Sequence, residues 1–228
     1  MRLITGSVMA VALAVAAAGL SASQNPDADR KVAGGGITAK GWTGMIDAAA
    51  AKKGMTVNDS KIAEMGGGLH MTIGPAGTFW NPANTASGDY TVGATFKEGK
   101  SSADHPHSYG VFIGGTKLNS PDQSYVYCVA YGSGEFLVRG FNGMTPVTYT
   151  KRQAHAAVKK AGADGSVTQE IAWTVKGDRA ECSINGQVVA GFTKAELVGA
   201  GKLASTDGIY GIRASHNVDV MVTGLAKK

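Results

Sequence analysis

Residues 124–141 read SYVYCVAYGSGEFLVRGF, and within them four side chains could bind a polar ligand together: Tyr125, Tyr127, Glu135 and Arg139. In a strand, alternate residues share a face. Tyr125, Tyr127, Val129 and Tyr131 therefore oppose Val126, Cys128 and Ala130, and beyond the Gly132-Ser133-Gly134 break Glu135, Leu137, Arg139 and Phe141 oppose Phe136 and Val138. An arginine between two sheets without a partner would cost several kcal/mol, so Arg139 assigns its set to the outside. A face with tyrosine rings, an arginine and a glutamate suits a polyol, because rings stack on apolar sugar faces while the charged groups bond hydroxyls. In the plainer reading, the tyrosines pack under a covering loop and Arg139 is only solvated. Four residues of strand separate Glu135 from Arg139 by about 13 Å, which suits opposite ends of a ligand better than a compact acid–base site.

The segment ADHPHSYG gathers Asp104, His105 and His107 ahead of a strand, where two imidazoles and a carboxylate could meet a sugar or a metal. One H-x-H interrupted by Pro106 is not a metal-ligand signature, so no metal and no cofactor is expected, and His105 and His107 are taken as ligand-binding candidates. Trp80, in GTFWNP, serves equally as a stacking platform or as core. His70, His155 and His216 stand alone in the sequence and read as surface or satisfied strand histidines. Cys128 and Cys182 both fall on the apolar side of their strands, which predicts a disulfide between them, with two buried thiols as the alternative.

The elements that must carry these residues are short strands. Runs such as GDYTVGATFK and QEIAWTVKG alternate with period two, and 33 glycines against 6 prolines punctuate them, which points to an all-β, two-sheet antiparallel jelly-roll sandwich. Asn185-Gly186 is the strongest hairpin signal, and the last run, DGIYGIRASHNVDVMVTGL, is expected to close the sheet near its beginning. Helix signals are few: the Thr193/Glu196 capping-box spacing and a weaker stretch over residues 46–53. Residues 1–23 combine Arg2, an apolar run of about 13 residues and small residues at Ser21 and Ser23, as in a signal peptide; the run is short of the roughly 20 residues a membrane span needs. Residues 24–41 lack periodicity and read as a flexible leader, and residues 42–228 as the domain. The 22 Lys and Arg against 17 Asp and Glu are scattered, so no nucleic-acid partner is expected, and with no cysteine directly after the apolar run and no second long apolar run, no membrane anchor is expected in the mature chain.

The C-terminal portion, IAWTVKGDRAECSINGQVVAGF followed by the GxxGxRxxH pattern of Gly208, Gly211, Arg213 and His216, resembles bacterial exported domains of the concanavalin A-like lectin/glucanase superfamily. Among these it is most similar to the 3-keto-disaccharide hydrolase domains, which are family 16 glycoside hydrolase-like. The resemblance covers most of residues 88–225 and implies a carbohydrate partner. Two departures concern catalysis. The E-x-D-x-(x)-E strand of laminarinase-type enzymes, whose alternate carboxylates share a face, is missing. The strands HSYGVFIGG and SYVYCVAYG keep Ser108 and Gly110 but not the acid that the 3-keto-disaccharide group places in the second.

The sequence therefore describes an exported, periplasmic or extracellular, jelly-roll domain that binds or processes a carbohydrate on a concave sheet face. Glycoside hydrolysis of 3-keto-disaccharides and a non-catalytic structural or cell-envelope role stand as alternatives. Intact-mass measurement of exported protein should give a chain beginning at Gln24 or Ser23; a chain retaining Met1 in that fraction would defeat the cleavage.

Overall fold

A computed structural model describes residues 27–100 and 106–228. The first half of the chain forms β1 (Gly36–Ile37), β2 (Thr43–Ile46), α1 (Ala48–Ala51), β3 (Lys61–Met65), β4 (Gly68–Thr72), β5 (Gly77–Ala86), β6 (Tyr90–Glu98) and β7 (Ser108–Thr116). The second half forms β8 (Ser124–Tyr131), β9 (Glu135–Asn142), β10 (Thr145–Ala154), β11 (Val167–Lys176), β12 (Arg179–Ile184), β13 (Gln187–Thr193), α2 (Lys194–Leu197), β14 (Gly208–Ala214) and β15 (Asp219–Lys227). They build two sheets, one in the order β1-β3-β4-β15-β6-β11-β12-β13 and the other β10-β9-β8-β7-β14-β5-β2. Every pairing except β1 with β3 is antiparallel. The sandwich is the expected one, and the last two strands close both sheets: β14 lies between β5 and β7, and β15 between β4 and β6.

Local sequence explains the turns. Asn185 (φ 51°) and Gly186 (φ 80°) form the hairpin between β12 and β13, a left-handed pair that asparagine and glycine adopt at least cost. Helix α2 carries the expected capping box, with Glu196 N–H donating to the Thr193 hydroxyl and Thr193 N–H to the Glu196 carboxylate.

Alternation then builds the core. Val126, Cys128, Ala130, Phe136 and Val138 face inward and join Ile171, Trp173 and Ile184 of the other sheet, all of them buried. Trp173 satisfies its indole by donating to the Val111 carbonyl at 3.1 Å. Cys128 and Cys182 are bonded, tying β8 of one sheet to β12 of the other across this core. For a 54-residue separation, the loop closed by that bond is worth about 4 kcal/mol of unfolded-chain entropy.

The N-terminal boundary differs from expectation. Residues 1–23 and 24–26 lie outside the described residues, but from Asp27 onward the supposed flexible leader belongs to the fold. Arg30 donates to the carbonyls of Ile73 and Val218, each at 3.1 Å, and Asn217 bonds both Arg30 N–H and the Ala28 carbonyl. These bonds to distant carbonyls, with β1 paired in parallel to β3, offset the ordering cost that the segment's polar sequence implied.

Among the described residues, one acid lies in the interior. Glu98, at the end of β6, is buried, and burial pushes its carboxyl up to about 7 from an ordinary 4.5, against a smaller opposing effect of the Tyr109 hydroxyl. The folded chain holds this proton more tightly than the unfolded one. The resulting stabilisation is fully present below pH 4.5 and is lost as pH rises through 7, a total of about 3 kcal/mol at 1.4 kcal/mol per unit. Denaturant melts between pH 4.5 and 7 should show Glu98→Gln with a shallower fall in stability than the parent; parallel curves would contradict the assignment.

Candidate functional site

The outer face of the seven-stranded sheet is where the aromatic stretch projects. Tyr127 stands opposite Arg139, Tyr125 opposite Phe141, and Tyr131 opposite Glu135 in the β8–β9 register. A second apolar cluster runs across this face from Trp80 through Phe112, Tyr125 and Tyr127 to Leu137. Gly211 faces Phe112 and Trp80 across its two ladders, and a Cβ there would come within 2.7 Å of the Phe112 ring, so a bare backbone gives the ring its place.

The expected face is thus correct, but its depth is not. Tyr125 is 1% exposed and Tyr127 7%, and Trp80 is buried as well. Ring centroids of Tyr125 lie 5.3 Å from both Phe112 and Phe141. The cover is Arg213, from β14. Its guanidinium carbon lies 5.4 Å from the Tyr127 ring centre and 5.7 Å from that of Phe141, in the range of a cation–π contact. Tyr125 and Trp80 therefore act as a packed floor instead of open stacking platforms.

Arg213 is itself nearly buried and is made tolerable by Asp47, the residue ahead of α1. Nη1 donates to Oδ1 at 2.6 Å and Nη2 to Oδ2 at 2.5 Å, a bidentate pair, and Nη1 also reaches the Thr78 hydroxyl at 3.3 Å. Burial alone would lower the Arg213 pKa; the Asp47 carboxylate outweighs it and holds the guanidinium well above its ordinary value. Burial also raises the Tyr125 and Tyr127 hydroxyls, Tyr125 accepting a 2.8 Å bond from Thr78. Sequence reasoning had Arg213 only as a pattern position and missed Asp47 altogether, since 166 residues separate the pair.

Around this floor lies a charged rim. Arg139 is exposed, and its side chain makes no hydrogen bond or ion pair among the described residues. Glu135 does not pair with it, as expected from their spacing. Instead Glu135 accepts from the Ser133 hydroxyl at 2.7 Å and from Arg152 Nε at 3.0 Å, bonds that hold its carboxyl below the ordinary range. The Arg152 guanidinium in turn lies 4.0 Å from the centre of the half-buried Tyr131 ring. At the other end of the face, a groove of about 410 Å³ is lined by Trp80, Pro82, Leu118 and Ile209 together with Lys117 and Asn119.

A larger groove, about 630 Å³, opens at the edge of the eight-stranded sheet beside Trp42, Met65 and Leu225. Its walls are mostly glycine backbone and aliphatic side chains. Its one charged side chain, Glu64, already accepts from Lys40 N–H, so it offers little to orient a polar ligand. Of the two histidine candidates, His105 lies outside the described residues, and His107 points away from the outer face to the end of the sandwich, against His216.

No family model matches the sequence, and no curated protein sequence does. Solved structures do match in fold. The chain is similar to the carbohydrate binding module CBM66 from Bacillus subtilis at a TM-score of 0.56 and 10% identity, over 85% of this chain and 98% of that one. It is also similar to a Bacillus subtilis protein of unknown function with a galectin-like fold, at a TM-score of 0.54 and 12% identity, over 82% and 88% of the two chains. These likenesses show the fold alone, a two-sheet antiparallel jelly-roll sandwich of the kind expected from the sequence.

Removing Asp47 would leave a nearly buried guanidinium uncompensated, so Asp47→Ala should lower the unfolding free energy by about 3 kcal/mol in urea melts. A loss under about 1 kcal/mol, the worth of an exposed ion pair, would contradict the burial of Arg213.

Proposed function

We propose that the chain is an exported carbohydrate-binding module whose ligand lies across the rim of the seven-stranded sheet's outer face. The observation that carries this reading is Arg139: an exposed arginine whose side chain has no partner among the described residues, set directly opposite Tyr127 and flanked by Phe141 on an already buried floor. A guanidinium so placed keeps its donors for an incoming hydroxyl pair. Glu135 and Arg152 hold each other in place at the neighbouring rim position, and Phe141 and Tyr131, only half-buried, leave for stacking the ring surface that Arg213 and Arg152 do not cover. Ordering costs little, because the supporting side chains are fixed before any ligand arrives. The fold likeness to a carbohydrate binding module adds support, and the bonded cysteines and the apolar run within residues 1–23 support export.

Binding is favoured over hydrolysis by the state of the carboxylates. Among the described residues at this face, Glu135 is kept ionised by Ser133 and Arg152, and both oxygens of Asp47 are engaged by Arg213. Neither is a neutral acid ready to protonate a leaving group, which glycoside cleavage requires. Turnover of 3-keto-disaccharides is therefore the reading to be tested against.

A glycan array should select a ligand for which calorimetric titration shows Arg139→Ala weakened by about 1.5–3 kcal/mol with almost unchanged stability. Val138→Ala, on the core side of the same strand, should do the reverse, losing about 1–3 kcal/mol of stability with affinity retained. Release of 3-keto-glucose from a 3-keto-disaccharide would replace the binding reading with hydrolysis, and silence in both assays would leave a structural role.

A further inference from the structure

At the end of the sandwich away from that face, three chain segments meet. Asp27 comes from the N-terminal segment, His107 immediately precedes β7, and His216 follows β14. The Nε2 atoms of both histidines lie 3.3 Å from the same oxygen, Oδ1 of Asp27. All three potential donor atoms fall within 4.8 Å of one another, and the two rings meet edge to face with centres 4.3 Å apart. His107 is 4% exposed; His216 and Asp27 are half-buried.

We propose that Asp27, His107 and His216 form a binding site for a divalent metal ion of the zinc class. Donor type and spacing both point there. Two imidazole nitrogens with one carboxylate oxygen suit zinc, and ligands about 2.0–2.1 Å from a tetrahedral ion stand about 3.3 Å apart; both nitrogen–oxygen pairs have that separation, and the two nitrogens, within 4.8 Å of each other, would draw in to it on binding.

Proton logic favours the ion as well. His216 Nδ1 lies 2.9 Å from Asp29 Oδ1, so that nitrogen carries the proton and Nε2 is directed at Asp27. A carboxylate orienting the far side of a histidine ring in this way is the usual outer support of a zinc ligand. In that tautomer the Nε2 lone pair of His216 faces Asp27 Oδ1 at 3.3 Å, and a cation between the two atoms would be bound by both. One divalent ion satisfies all three donors, leaves a position for water, and fastens residue 27 to the ends of β7 and β14.

The test uses the whole folded chain, stripped with EDTA and titrated with Zn²⁺. One equivalent should bind, with a rise in melting temperature. Co²⁺ added to the same unaltered protein should give the intense visible absorption of a four- or five-coordinate site. The double variant His107→Gln/His216→Gln should abolish binding, and Asp29→Asn, which touches no metal, should weaken it about 10- to 100-fold. Absence of a Zn²⁺-dependent melting shift would overturn the site, as would undiminished binding in the folded double variant. If that variant does not fold, the Co²⁺ spectrum of the unaltered protein decides, a pale six-coordinate spectrum counting against the proposal.

Discussion

A guanidinium held almost out of water on an apolar sheet face needs a fixed counter-charge, and the pairing of Arg213 with Asp47 supplies it in the bidentate geometry that leaves least of the charge unsatisfied. Much of the outer face follows from that constraint. Asp47 must be brought over the sheet, which β2 and α1 accomplish from opposite sides of it. Arg213 must cross its neighbouring strands, and in doing so it covers Tyr127 and Phe141. What would otherwise be an exposed aromatic patch becomes a floor, and the polar work passes to the rim, where Arg139, Glu135 and Arg152 stand.

The same strands serve the opposite side of the sheet by alternation. Cys128 and Val138 belong to the core while Tyr127 and Arg139, one residue away from each, belong to the outer face, Tyr127 in its floor and Arg139 at its rim. The bond from Cys128 to Cys182 holds β8 against the other sheet, so the outer residues are displayed on a strand that is fixed from beneath. The proposed binding surface therefore takes its support from the core, and it is chiefly the exposed Arg139 side chain that would order on contact with a ligand.

Several of these features were legible in the sequence because they depend on neighbours a few residues apart. The side on which Arg139 projects, the pairing parity of the cysteines, the Asn185-Gly186 turn and the Thr193 cap are all local. Three others were not, for one physical reason. Asp47 with Arg213, Asp27 with His216, and Arg30 with the Ile73 and Val218 carbonyls are long-range partners in which neither sequence neighbourhood carries a periodic signal. The leader therefore read as flexible, and His216 as solitary. The burial of Tyr125 and Tyr127 failed for a related reason: alternation tells which face a residue occupies, but what lies above that face is contributed from elsewhere in the chain.

The central claim is that ligand meets the molecule at the rim of the seven-stranded sheet, and the most direct measurement is a map of backbone amide shifts in isotope-labelled protein titrated with an array-selected glycan. The account predicts that saturable changes concentrate in β8 and β9, around Tyr127, Glu135, Arg139 and Phe141, with the eight-stranded sheet silent. Changes centred instead on the groove beside Trp42 and Met65 would place the site on the wrong sheet and contradict the account.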